Sequence, residues 1–119
     1  MRICPISSRK YKDDIQYVDA AGLQQLHDET LGIRLATYNY KPQVADANPK
    51  HLGFIIEDRP PQSPAVDWSH ERVDLYGYLS MVVATMQVQE REIAELRRQL
   101  SSAQSRAQEP QQAPVCAAK

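Results

Sequence analysis

The sequence predicts a small α+β domain whose C-terminal side is one long coiled-coil helix. Three observations predict it. On a seven-residue grid Leu79, Met86, Ile93 and Leu100 share one position, and Val82, Gln89, Leu96 and Ala103 share the position three residues later, which is the seam of a coiled coil. Upstream, two runs rich in β-branched and aromatic residues, 33–40 and 51–57, read as strands. Ahead of both, Leu23, Leu26 and Thr30 fall on one face of a short helix.

Taken in order, residues 1–6 contain Pro5 and no periodicity, so they read as extended. Residues 13–18 alternate Ile15 and Tyr17 with polar neighbours, as a short strand or extended segment does. Asp19 is a good N-cap for the first helix, and Gly32 ends it. The first strand stops at Lys41-Pro42, because proline has no N–H to give to a strand ladder. After a polar loop over 43–50, Phe54-Ile55-Ile56 mark the second strand, in which Gly53 signals a bulge or a close approach of another backbone. The two strands are expected to pair antiparallel. The proline-rich residues 59–64 form a connection over the surface, and 65–73 can add one short strand.

Asp74 then caps the long helix, which runs to about Ala107. Its first half, residues 75–88, is apolar nearly all round and suits packing on its own domain. Its second half has one apolar stripe and an outward face of Gln87, Glu90, Arg91, Glu92, Glu95, Arg97 and Arg98, so it is expected to bury that stripe against copies of itself. Gln89 puts an amide in the seam, a choice that fixes register or chain number at a cost in stability. From 108 to 119 the chain has prolines, glutamines and nothing to bury, and reads as a disordered tail.

Composition narrows the function. With 119 residues, 42% hydrophobic and 24% charged, the chain holds one modest domain and an appendage. A net charge of -1 and no basic block denser than Arg9, Lys10 and Lys12 argue against nucleic acid as a partner, and no basic region precedes the heptads. The apolar stretch 75–88 has 14 residues where a bilayer span needs about 20, and no apolar run of about 7 to 15 residues follows Arg2, so neither a membrane span nor a secretory signal is expected. Cys4 and Cys116 are isolated and form neither a zinc site nor a disulfide framework; no metal and no cofactor is expected. His27, His51 and His70 read as surface histidines, and Trp68, Tyr76 and Tyr78 as packing residues where the long helix meets the sheet.

The order of parts resembles a known family. Ser7-Ser8-Arg9-Lys10-Tyr11-Lys12-Asp13-Asp14-Ile15 looks like its opening motif, Tyr38-Asn39-Tyr40-Lys41 like its aromatic strand, His51-Leu52-Gly53-Phe54-Ile55 like its Gly-Phe-Ile strand, and Val73-Asp74 with the heptads like its terminal helix. The chain thus resembles, from Ser7 to about Leu100, the self-cleaving intramolecular chaperone domain found at the C-termini of trimeric phage endosialidase tailspikes and tail fibres. The resemblance implies a homotrimer formed through the C-terminal helix, an upstream fibre or spike client, and a Ser-Lys dyad made of Ser7 and Lys12 that cuts the bond before Ser7. It divides the chain into a residual upstream segment 1–6, a chaperone and auto-peptidase domain 7–107 with the coiled-coil helix 74–107, and the tail 108–119.

The chemistry suits those residue types. A serine hydroxyl is a weak nucleophile until a base takes its proton, and a lysine serves as that base only where a partly dry setting lets the neutral amine exist. An intramolecular cut needs no substrate pocket, because the target carbonyl is already held beside the nucleophile. Ser8 stands where the family often has aspartate and is an alternative nucleophile. Only residues 1–6 precede Ser7, so the cut would release a hexapeptide unless the domain acts in trans, serves only as a trimeriser or comes from a longer fibre chain. A non-enzymatic oligomerisation module with a silent dyad is the competing class, and the compartment stays open between the cytoplasm during assembly and the virion.

Overall fold

The computed structural model describes residues 6–46 and 48–110, and the readings of residues 1–5, Cys4, Cys116 and most of the tail lie outside the described residues. The fold is α+β. A 3₁₀ turn, Arg9–Tyr11, leads to helix α1, Ala20–Leu31; strands β1, Ala36–Tyr38, and β2, His51–Gly53, follow; after a second 3₁₀ turn, Ile56–Asp58, the chain reaches helix α2, Leu75–Ala107. By its contacts the chain divides into two compact units, Met1–Val88 and Gln89–Lys119.

Both expected caps are present. The Asp19 carboxylate accepts from Gly22 N at 2.8 Å at the start of α1, and the Asp74 carboxylate accepts from Gly77 N at 2.8 Å at the start of α2. Gly32 ends α1 with φ -79, in the right-handed region. Arg59 closes that end: its guanidinium donates to Gly32 O and to Glu29 O, each at 3.0 Å, the second of which also accepts from Gly32 N. The connection 59–64 is therefore not confined to the surface, for Arg59 reaches inward and Ser63 is buried.

The strands pair antiparallel, Ala36 with Gly53, Thr37 with Leu52 and Tyr38 with His51. They are shorter than 33–40 and 51–57 because Ile33 N still bonds Thr30 O in the turn that leaves α1, while Phe54 turns into the core and the chain coils into the 3₁₀ turn at Ile56. Gly53 admits the Tyr38 ring rather than a backbone; a Cβ there would lie 3.4 Å from it. Residues 13–18 form no strand. In place of a strand over 65–73 there is a single bridge, Val66 with Val73, closing a turn in which Asp67 accepts from Ser69 N at 2.9 Å and His70 has φ 58.

Phe54, Ala65 and Met81 form the core, with Leu26, Ile33, Ile56, Val73 and Tyr78 packed around it. Ala65 and Met81 are 0% and 1% exposed. The Phe54 and Tyr78 rings meet edge to face at 5.1 Å. The first half of α2 has two apolar faces, which explains why it reads as apolar nearly all round. Met81, Ala84, Thr85 and Val88 are buried against the chain's own domain, whereas Leu75, Leu79, Val83 and Met86 are exposed. From Gln89 onward the seam residues Ile93, Leu96 and Leu100 are exposed. No helix among the described residues is long and apolar enough to cross a membrane.

Three side chains depart from the sequence reading. Trp68 is 91% exposed at the tip of the 67–72 turn, which points it away from the junction of helix and sheet. His27, read as a surface residue, is 7% exposed, since the buried side of α1 extends past Leu26. Its Nδ1 lies 2.9 Å from the Asp28 carboxylate, and this bond, helped by Gln24, holds Asp28 below the ordinary carboxylate range. Tyr76 packs nowhere in the core and is half exposed.

The tightest approach is between α2 and the proline-rich connection. A Cβ added to Gly77 would overlap the Pro64 carbonyl oxygen, and Asp74 N donates to Ala65 O at 2.9 Å just before it. Gly77→Ala is therefore expected to cost about 1–3 kcal/mol, although alanine is the better helix former. Gly22→Ala meets two side-chain atoms, a Val18 methyl and, at 3.2 Å, an oxygen of the capping Asp19 carboxylate, which yield more readily than backbone, and should change stability by less than about 1 kcal/mol. Urea unfolding of both variants at one protein concentration checks the contrast.

On the exposed face of α2, Arg98 donates to Glu95 through Nε at 3.0 Å and Nη2 at 2.6 Å, and Gln99 adds a bond of 2.9 Å. These hold the Glu95 carboxyl at about 2, against an ordinary 4.5. A carboxyl lowered on folding stabilises the helix fully above the unfolded value of 4.5 and loses that contribution as pH falls through about 2. Carboxyl-carbon NMR should find the Glu95 midpoint near 2 in low salt, and Arg98→Ala should return it toward the ordinary value.

Candidate functional site around Ser7

The segment before α1 is held by local bonds. Tyr11 N donates to Ser8 O and Lys12 N to Arg9 O, both at 3.1 Å, and this single 3₁₀ turn folds the chain back on itself. Asp14 then takes φ 49, a conformation that aspartate tolerates better than most residues, and redirects the chain toward α1. Arg9 Nη2 donates to Tyr17 Oη at 3.0 Å across the loop so formed.

The consequence of that turn is that Lys12 Nζ donates to Ser7 Oγ at 3.0 Å. Among the described residues the hydroxyl that Lys12 reaches is that of Ser7; Ser8 instead sits at the N-cap position of the turn without a capping side-chain bond. A third group joins the pair. Tyr76 Oη, on the first turn of α2, lies 3.2 Å from Ser7 Oγ. Sequence reasoning missed this tyrosine, since 69 residues separate it from Ser7 and no spacing rule reaches that far.

All three side chains are exposed. Among the described residues nothing supplies the dry setting that a lysine base needs. The apolar groups on the same segments are exposed too: Ile6, Tyr11 and Tyr17 beside the pair, and Leu75 and Leu79 beside Tyr76. Exposed apolar groups gathered around polar ones make a patch suited to being covered.

A groove of about 780 Å³ lies elsewhere, between the sheet and the start of α2, with Tyr38, Tyr40, Phe54, Leu75 and Tyr78 on its walls; neither Ser7 nor Lys12 lines it. Tyr38, Tyr40 and His51 form an aromatic cluster with ring centres 4.9–5.8 Å apart. The bond between the two phenols raises the Tyr38 hydroxyl above its ordinary value, and desolvation adds to the effect. Among the described residues no group of His, Cys, Asp and Glu is arranged to hold a metal ion.

A family model described as a chaperone of endosialidase matches residues 7–65, beginning at the serine that Lys12 reaches. No curated protein and no solved structure matches the chain.

Proposed function

We propose that the chain, whose residues 7–65 belong to the endosialidase chaperone family, is an intramolecular chaperone that promotes trimeric folding of an upstream tail fibre or spike and frees itself by serine autoproteolysis before Ser7. The bond from Lys12 Nζ to Ser7 Oγ at 3.0 Å carries this reading. In the proposed reaction the neutral Lys12 amine takes the Ser7 hydroxyl proton while Oγ bonds to the Ile6 carbonyl carbon. As the tetrahedral centre collapses, the bond between Ile6 and Ser7 N breaks and Lys12 returns its proton to the departing amine. The product is an ester between Ile6 and Ser7 Oγ. Water hydrolyses it, leaving an Ile6 carboxylate and a free serine hydroxyl. Covalent attachment of the target supplies the proximity that an intermolecular protease obtains by binding.

The exposed surroundings of the pair support a requirement for assembly. A neutral lysine needs burial that the described residues do not supply, so the cover comes from other copies or from the client. The open seam along α2 is the surface on which copies meet.

Replacing Ile93 and Leu96 together by Asp puts charges where each aliphatic side chain contributes roughly 1.5–3 kcal/mol on burial. The oligomer is expected to dissociate in analytical ultracentrifugation, and cleavage is expected to stop with it. A parent protein that sediments as a monomer at micromolar concentration would refute assembly through the seam.

Cleavage itself is tested by fusing a trimeric fibre segment to Met1 and comparing the parent with Ser7→Ala and Lys12→Ala. Both changes lie at exposed positions and should alter stability by less than about 0.5 kcal/mol. The parent should yield a fragment starting at Ser7 by intact mass, and both variants should stay full length. Cleavage that persists in Ser7→Ala moves the nucleophile elsewhere; an uncut parent leaves the non-enzymatic trimerisation module as the surviving reading.

A further inference from the structure

Lys12 alone cannot aim the Ser7 hydroxyl. Ser7 lies in an exposed coil segment, its Oγ has three staggered positions open to it, and the lysine stem is long and flexible. Their contact fixes a distance and leaves the direction loose. The Tyr76 hydroxyl differs in kind, because it stands on a helix turn that is itself pinned by the Asp74 cap, the bond from Asp74 N to Ala65 O and the close seat of Gly77 on Pro64. Among the described residues its bond to Ser7 is also the one hydrogen bond tying segment 6–18 to anything beyond α1.

We propose that Tyr76 is the positioning residue of the dyad, a role that rests on the self-cleavage reading above: its phenol, 3.2 Å from Ser7 Oγ, sets that oxygen for attack on the Ile6 carbonyl. A phenol both donates and accepts. When Tyr76 donates to Ser7 Oγ, the single serine proton is left to point at Lys12, 3.0 Å away. That is the arrangement in which a neutral amine can remove it. The proton then passes to Lys12 Nζ as the bond from Oγ to carbon forms, and Tyr76 keeps its own proton throughout.

The test uses the fusion of a trimeric fibre segment to the full 119-residue chain, made by cell-free synthesis and followed by intact mass for the species that begins at Ser7. Tyr76→Phe keeps the ring and removes the hydroxyl; the assembled mass should be unchanged and cleavage should slow by on the order of tenfold to a hundredfold. Replacing Tyr76 by 3-fluorotyrosine and 3,5-difluorotyrosine keeps ring and hydroxyl while making the phenol progressively more acidic, and the rate should move steadily along that series. Full-rate cleavage in Tyr76→Phe overturns the proposal and leaves the dyad standing. A slow Tyr76→Phe with a flat fluorotyrosine series makes Tyr76 a structural tether and also overturns it. Should Tyr76→Phe fail to fold, the fluorotyrosine series decides alone. A parent that stays full length, with an ordinary circular dichroism spectrum, sinks the self-cleavage reading and this proposal together.

Discussion

Gly77 passes so close to the Pro64 carbonyl that a side chain there would force the two backbones apart, and this contact governs how the first unit is built. With the chain seated on α2 at that point, Ala65 becomes fully buried and its carbonyl meets Asp74 N one turn earlier. Met81, one turn further on, then lies against Phe54 and Ala65 in the core. The small size of this core makes the dependence sharp. A domain that buries so few large side chains has little surplus stability to spend on a misfit between backbone segments.

Much of this was legible in the sequence because much of it is local. Asp19 and Asp74 cap their helices through bonds to residues three positions ahead, a relation that sequence spacing encodes directly. The pairing of the two strands and the stripe of Leu79, Met86, Ile93 and Leu100 were legible through periodicity in the same way. What was hidden depends on contacts between distant segments. Gly77 gives no signal as a lone glycine in an apolar helix, since its meaning lies in a proline carbonyl brought there by the fold. The extents of β1 and β2 were overestimated because β propensity cannot know that Phe54 leaves the sheet for the core. Trp68 was placed inside on its chemistry, whereas a tight turn holds it outside.

The candidate site divides along the same line. Ser7 and Lys12 are neighbours through one 3₁₀ turn, so a motif in the sequence could name them. Tyr76 could not be named in that way. Its neighbours Leu75 and Leu79 are exposed on the same stretch of α2, so the group touching Ser7 stands at the edge of an exposed apolar stripe. The contact with Ser7 and an exposed apolar stripe thus share one helical turn.

The distance along the chain between Ser7 and Tyr76 also acts as a clock. A ribosome delivers residues in order, at roughly 5–20 per second, so the 69 positions that separate the two hydroxyls correspond to roughly 3–14 s of synthesis. During that interval the serine has been made and its distant partner has not. Whatever lies upstream of Ser7 has a head start in folding over the contact that spans the domain, and the order is written into the chain rather than imposed by any other factor.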